Sequence, residues 1–60
     1  MVSEAHFELP PRFGAPLRVV LPYDPPRQVE DEFYRIRAGD YIRVEGNMVA
    51  ENRLILRAFL

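Results

Sequence analysis

The chain has no cysteine, no lysine and no threonine, a single serine (Ser3) and a single histidine (His6). Without cysteine there are no disulfides and no thiolate zinc sites, and the redox compartment is left open. One histidine does not make a metal site, and the acidic run Glu30-Asp31-Glu32 has no partnering cluster, so it reads as a solvated face. No metal ligands are assigned. With Ser3 as the sole aliphatic hydroxyl and no glycine-rich phosphate loop, no nucleophile and base can be paired, and nothing singles out one of the nine carboxylates. We therefore expect no enzyme activity, no catalytic residues and no cofactor. No apolar run approaches the roughly 20 residues that cross a bilayer. No basic-then-apolar leader opens the chain either, so a cytoplasmic protein without membrane association is expected.

Sixty residues make one domain at most, spanning 1–60. A chain of this length buries only about 60% of the surface its unfolded form exposes. Small domains make up the deficit with disulfides, a metal, oligomerisation or unusually efficient packing. With the first two removed by composition, a homo-oligomer is expected. The formal charge of −1 and a pI near 5.7 describe a nearly neutral molecule, whereas non-specific grip on duplex phosphate calls for a clearly basic one. Any nucleic-acid contact must come from a local patch. All eight basic residues are arginine, whose planar fork binds carboxylate or phosphate at two points and stacks on rings. GC-rich coding also yields such a set, so it does not by itself assign a ligand.

All six prolines lie in the first 26 residues, which divides the chain by topology and not into separate units. In HFEL, Phe7 and Leu9 alternate with His6 and Glu8, as in a strand with one buried face, and Pro10-Pro11 end it. PRFGAP reads as a turn. LRVVL, with Leu17, Val19 and Leu21 on one face, reads as a second strand that Pro22 stops. YDPPRQVEDEFYRIRAG has two readings. As a helix, Asp24 caps it, Pro25 or Pro26 opens it, Val29, Phe33 and Ile36 form one stripe, and Gly39 closes it. The other reading is a loop and then a short strand, and a short helix or a strand over residues 32 to 37 stays open.

From Gly39-Asp40 the pattern becomes two-fold. Ile42 and Val44 point inward, while Tyr41, Arg43 and Glu45 point outward. Gly46 marks a bend or bulge, and Glu51-Asn52 a turn. The closing RLILRAFL places Leu54, Leu56, Ala58 and Leu60 on one face and Arg53, Ile55, Arg57 and Phe59 on the other. Both faces carry apolar groups, so cover on two sides is expected, from a partner subunit or a ligand. The fold class is all-β with at most one short helix, as a small OB-like five-stranded barrel or a related small β-barrel.

The stretch G-D-Y-I-R-V-E-G-N-M followed by N-R-L-I-L-R-A-F-L resembles the late hairpin of nucleic-acid-binding OB-folds, in the style of the middle subunit of replication protein A and of anticodon-binding domains. The resemblance covers about a third of the chain and rests on small and aliphatic residues. OB domains are commonly longer than this chain, so a shortened or oligomer-completed barrel is implied. V-V-L-P, then A-G-D-Y-I-R-V-E and a terminal L-I-L-R, is also similar to swapped-hairpin regulators of the AbrB and MazE type, which are dimers of about this size. The interval from Leu21-Pro22 to Gly39-Asp40 is longer than in that family, and its early Lys-Gly signature is missing.

The OB resemblance implies a surface of Tyr41, Arg43, Arg53, Arg57 and Phe59 for single-stranded nucleic acid, with bases stacked on the rings at roughly 1–3 kcal/mol each and arginines on phosphate. The competing expectation is a protein-interaction or assembly subunit without nucleic acid. In it Ile55 and Phe59 pack against another subunit while the arginines pair with Glu45, Glu51 or the acidic run. The swapped-hairpin resemblance implies a third role, a dimeric DNA-binding or antitoxin-like regulator.

Overall fold

The computed structural model describes residues 4–11 and 14–60. The element order is β1 (His6–Leu9), β2 (Leu17–Val20), α1 (Arg27–Arg35), β3 (Val44–Ala50) and β4 (Arg53–Phe59). The four strands form one mixed sheet in the order β1-β2-β4-β3. Antiparallel pairing joins β1 to β2 and β3 to β4, whereas β2 and β4 run parallel in the middle. Parallel neighbours need a long crossover, since the chain must return to the same end of the sheet. Here α1 and β3 provide it.

The sheet is open. The five-stranded barrel expected from the sequence is not closed, because β1 and β3 are both free edges. Residues 27–35, half of the ambiguous stretch, are helical and supply no strand, and Tyr41–Arg43 precede the ladder instead of starting it. Four strands remain, and one face of them is covered by α1.

The helix forms where two prolines deliver the chain. Pro26 is its N-cap, at φ −55° and ψ 139°, and its carbonyl accepts the first helical bond from the Glu30 N–H at 3.0 Å. Proline suits this end because its missing N–H would have had no partner within the helix. Asp24, expected as the cap, lies two residues upstream with a left-handed φ of 50°, and no side chain caps the helix. Glu30 in the first turn and Arg35 in the last match the helix dipole. At the far end Ile36 turns extended. The Arg37 N–H then donates to Asp40 Oδ2 at 2.9 Å and the Asp40 N–H to the Arg37 carbonyl at 3.1 Å, closing a turn around Gly39 at φ 94°.

The core lies between α1 and one face of the sheet. Val19, Phe33, Leu54 and Leu56 are buried there, with Phe7, Leu9, Leu17, Val29, Val44 and Phe59 packed around them. Phe33 is the buried residue of the helix, and its ring centroid stands 5.4 Å from that of Phe7 on β1. The expected strand HFEL is present, and the expected LRVVL is a strand over LRVV, ending one residue early at Val20, with Phe7, Leu9, Leu17, Val19 and Leu21 packed inward as expected. The turn expected over PRFGAP lies partly outside the described residues, but Gly14 within it has φ 80°.

Candidate interaction surfaces of the sheet

The register fixes which side chains share the face opposite α1. One row crosses all four strands as His6, Val20, Ile55 and Asn47, and the next places Glu8, Arg18 and Arg53 side by side. Arg18 and Arg53 are thus adjacent like charges, an arrangement that destabilises a sheet unless it is compensated. Compensation comes from β1 and the residues before it. Arg18 Nη2 donates to Glu8 Oε1 at 3.4 Å, and Arg53 Nη2 pairs with Glu4. Nearer the β3 edge, Arg57 pairs with Glu45. Arg18, Arg53 and Arg57 therefore each have a carboxylate of their own.

The Arg53–Glu4 pair also carries out a packing task. Arg53 is level with Arg18, and Glu4 precedes His6, which is opposite Val20. An ion pair joining them crosses the row that holds Val20. The aliphatic stem of an arginine can cover apolar surface while its head stays wet, and Val20 is only 3% exposed although it faces away from the core. Arg53→Ala is expected to destabilise the fold by about 1 kcal/mol, because the cover goes with the charge, and Glu4→Gln by less, because exposed ion pairs contribute only about 0.2–1 kcal/mol. Urea midpoints measure both. Equal losses would show that charge alone matters and that the stem covers nothing.

The five residues expected to form one binding face are separated. Arg53 and Arg57 lie on the open face in ion pairs. Phe59 packs against the core on the helix side. The cause is one extra residue. Glu45 is level with Ala58 and Gly46 with Leu56, so Arg57 bulges out of β4 and the alternation reverses beyond it. Phe59, level with Val44, is carried to the same side as Leu54 and Leu56.

Tyr41 and Arg43 meet Phe59 at the C-terminal end of the helix. The Leu60 N–H donates to the Arg43 carbonyl at 2.9 Å, which extends the hairpin by a step and brings these residues beside the last turn of α1. Together with Glu32, Arg35 and Leu60 they line an open hollow of about 260 Å³. Tyr41 is fully exposed at its rim. Two arginines there face two carboxylates, Glu32 and Asp40, so the hollow is also neutral in sum.

Sequence reasoning named Glu45 among the carboxylates that could pair with arginine, and it does pair with Arg57. It missed Glu4 and Glu8, which become partners only through the β1–β2–β4 register. Among the described residues no charged side chain is buried, and no group of three or more His, Asp or Glu side chains is placed to hold a metal ion. His6 is exposed, with Nδ1 at 3.3 Å from the Glu4 carbonyl oxygen. No family model, curated protein or solved structure matches the chain, so the OB-like and AbrB-type resemblances rest on their short sequence segments alone.

Proposed function

We propose that this protein is a small protein-interaction and assembly module and does not act on nucleic acid. The observation that carries this reading is the pairing of Arg18, Arg53 and Arg57 with Glu8, Glu4 and Glu45 around an apolar row of Val20 and Ile55. Phosphate must displace a carboxylate to reach any of these guanidinium groups, and each displacement leaves an unpaired glutamate beside the bound strand. Counterion release, the main source of non-specific affinity, is largely forfeited on a surface that has already neutralised itself. A protein partner meets no such obstacle. A neutral, partly apolar face with a charged border has the composition of ordinary protein interfaces. The chain's overall charge of −1 points the same way.

A second reading is supported by a separate observation. Tyr41 stands fully exposed beside Arg43 and Arg35, an arrangement on which a single unpaired base can stack. One such platform is far less than the five-residue surface implied by the OB resemblance.

Fluorescence anisotropy of labelled single-stranded and duplex oligonucleotides, at low and moderate salt, separates the two. The expected result is no saturable binding at micromolar protein, since a neutral face supplies few phosphate contacts. Single-strand binding that falls with Tyr41→Ala or Arg57→Ala would establish the nucleic-acid reading instead.

A further inference from the structure

The two edges of the sheet differ in kind. β1 is four residues long and runs into Pro10-Pro11, which lack the N–H groups another strand would pair with. Short length and proline are both devices that keep an edge from pairing. β3 has neither. It is seven residues long, contains no proline and carries one charge, Glu45, already paired with Arg57. It also presents Met48 and Val49, 54% and 57% exposed. An edge so long and so little charged is a template for another strand.

We propose that β3 pairs antiparallel with β3 of a second copy of this chain, making a continuous eight-stranded sheet with both helices on one side. This inference rests on the protein-interaction reading and names its partner and surface. The register follows from the residues. Val49 is an extra residue between Met48 and Ala50, whereas at the other irregularity, between Glu45 and Gly46, the extra residue is Arg57 on β4, so β3 itself runs without an inserted residue from Val44 to Met48. A two-fold axis at its centre falls on Gly46. That axis sets Val44 against Met48 of the second copy on the helix side and Glu45 against its Asn47 on the open side. The apolar pair covers the exposed Met48, and the polar pair joins a carboxylate to an amide donor. No like charges stand directly opposite each other, and each Glu45 keeps its own Arg57. Shifting the axis by one residue to Asn47 would set Glu45 against Val49 and run the pairing into the irregular end of the strand.

Sedimentation across a concentration series tests the association. The expected mass is twice the 7.0 kDa of one chain at high concentration. Dissociation is expected on dilution, as suits a small contact near the lower limit of specific interfaces. Met48→Lys places a charge on the edge at an exposed position, so circular dichroism should be unchanged while self-association weakens at least tenfold. Register is read by oxidising an equal mixture of the Glu45→Cys and Asn47→Cys variants. Directly opposed residues lie about 4.5–5.5 Å apart at Cβ and diagonal ones about 7–8 Å, so the mixed pair should cross-link and Asn47→Cys alone should not. A chain that stays monomeric up to about 1 mM overturns the proposal, since weak specific interfaces still form there. So does a dimer that Met48→Lys leaves intact, as one packed through the open faces would be. None of these outcomes bears on oligonucleotide binding, which decides the underlying reading separately.

Discussion

Phe33→Ala is expected to unfold this protein or lower its melting temperature by roughly 15 °C or more, the shift that a loss of several kcal/mol produces in so small a domain. The ring is 7% exposed and is the only buried side chain that α1 contributes. It stands 5.4 Å from the Phe7 ring and 5.2 Å from the Tyr34 ring, the latter edge-on at 84°. Truncating a buried phenylalanine costs about 3–5 kcal/mol, through lost transfer energy and the cavity left behind. Domains hold only about 0.05–0.15 kcal/mol of net stability per residue, so a chain this short has roughly 3–9 kcal/mol in all. The loss is of the same size as the whole.

The helix is expected to melt once its anchor is lost, because helices shorter than about 12–15 residues are marginal in water on their own, and α1 has nine. Val29 and Ile36 are half-buried and too few to hold it. Far-ultraviolet circular dichroism with thermal melting reports both effects. Tyr34→Ala is the control, since that ring is 68% exposed and touches Phe33 only at its edge. A Phe33→Ala protein melting no lower than Tyr34→Ala would mean that the helix is held by something other than this ring.

What could be read from the residues alone was local. Phe7, Leu9, Leu17 and Val19 alternate cleanly and proline stops both strands, so β1 and β2 were legible with their inward faces. The stretch after Asp24 was not, because an apolar stripe of three residues, Val29, Phe33 and Ile36, is too short to exclude a strand through 32 to 37. Topology decides it, since β2 and β4 lie parallel and a crossover must span one face.

The five candidate residues are divided between faces for a different reason. Alternation along RLILRAFL holds through Leu56 and is then reversed by one bulged residue, Arg57, which nothing in its neighbours announces. Gly46 did signal an irregularity, but it sits on the strand facing the bulge. The Glu4 and Glu8 partners lay further out of reach, since pairing them with Arg53 and Arg18 requires the order β1-β2-β4, and sequence order alone suggests no such neighbours.

Gly46→Ala is expected to destabilise the fold by about 3 kcal/mol, at the upper end of what overpacking a rigid site costs. A Cβ at this position would lie 2.2 Å from the Ile55 carbonyl oxygen, 3.0 Å from its carbon and 3.2 Å from Leu54 Cγ. Two of these three atoms are backbone and cannot rotate away, so β3 and β4 must part where Gly46 is level with Leu56, one of the two most deeply buried side chains. Gly39→Ala makes the comparison informative. Its Cβ would meet nothing within 4 Å, but its φ of 94° disfavours any L side chain, at about 1–2 kcal/mol. One glycine is required for space and the other for backbone conformation. Because β3 pairs within the chain with β4 alone, the strain at Gly46 falls on the whole edge strand, and self-association through that edge should weaken together with the fold. Gly39→Ala should lower the melting temperature modestly and leave self-association unchanged. A Gly46→Ala protein that melts with Gly39→Ala would show that opening the hairpin at this point costs no more than one strained turn residue, and that the close approach of the two strands does not hold β3 in place.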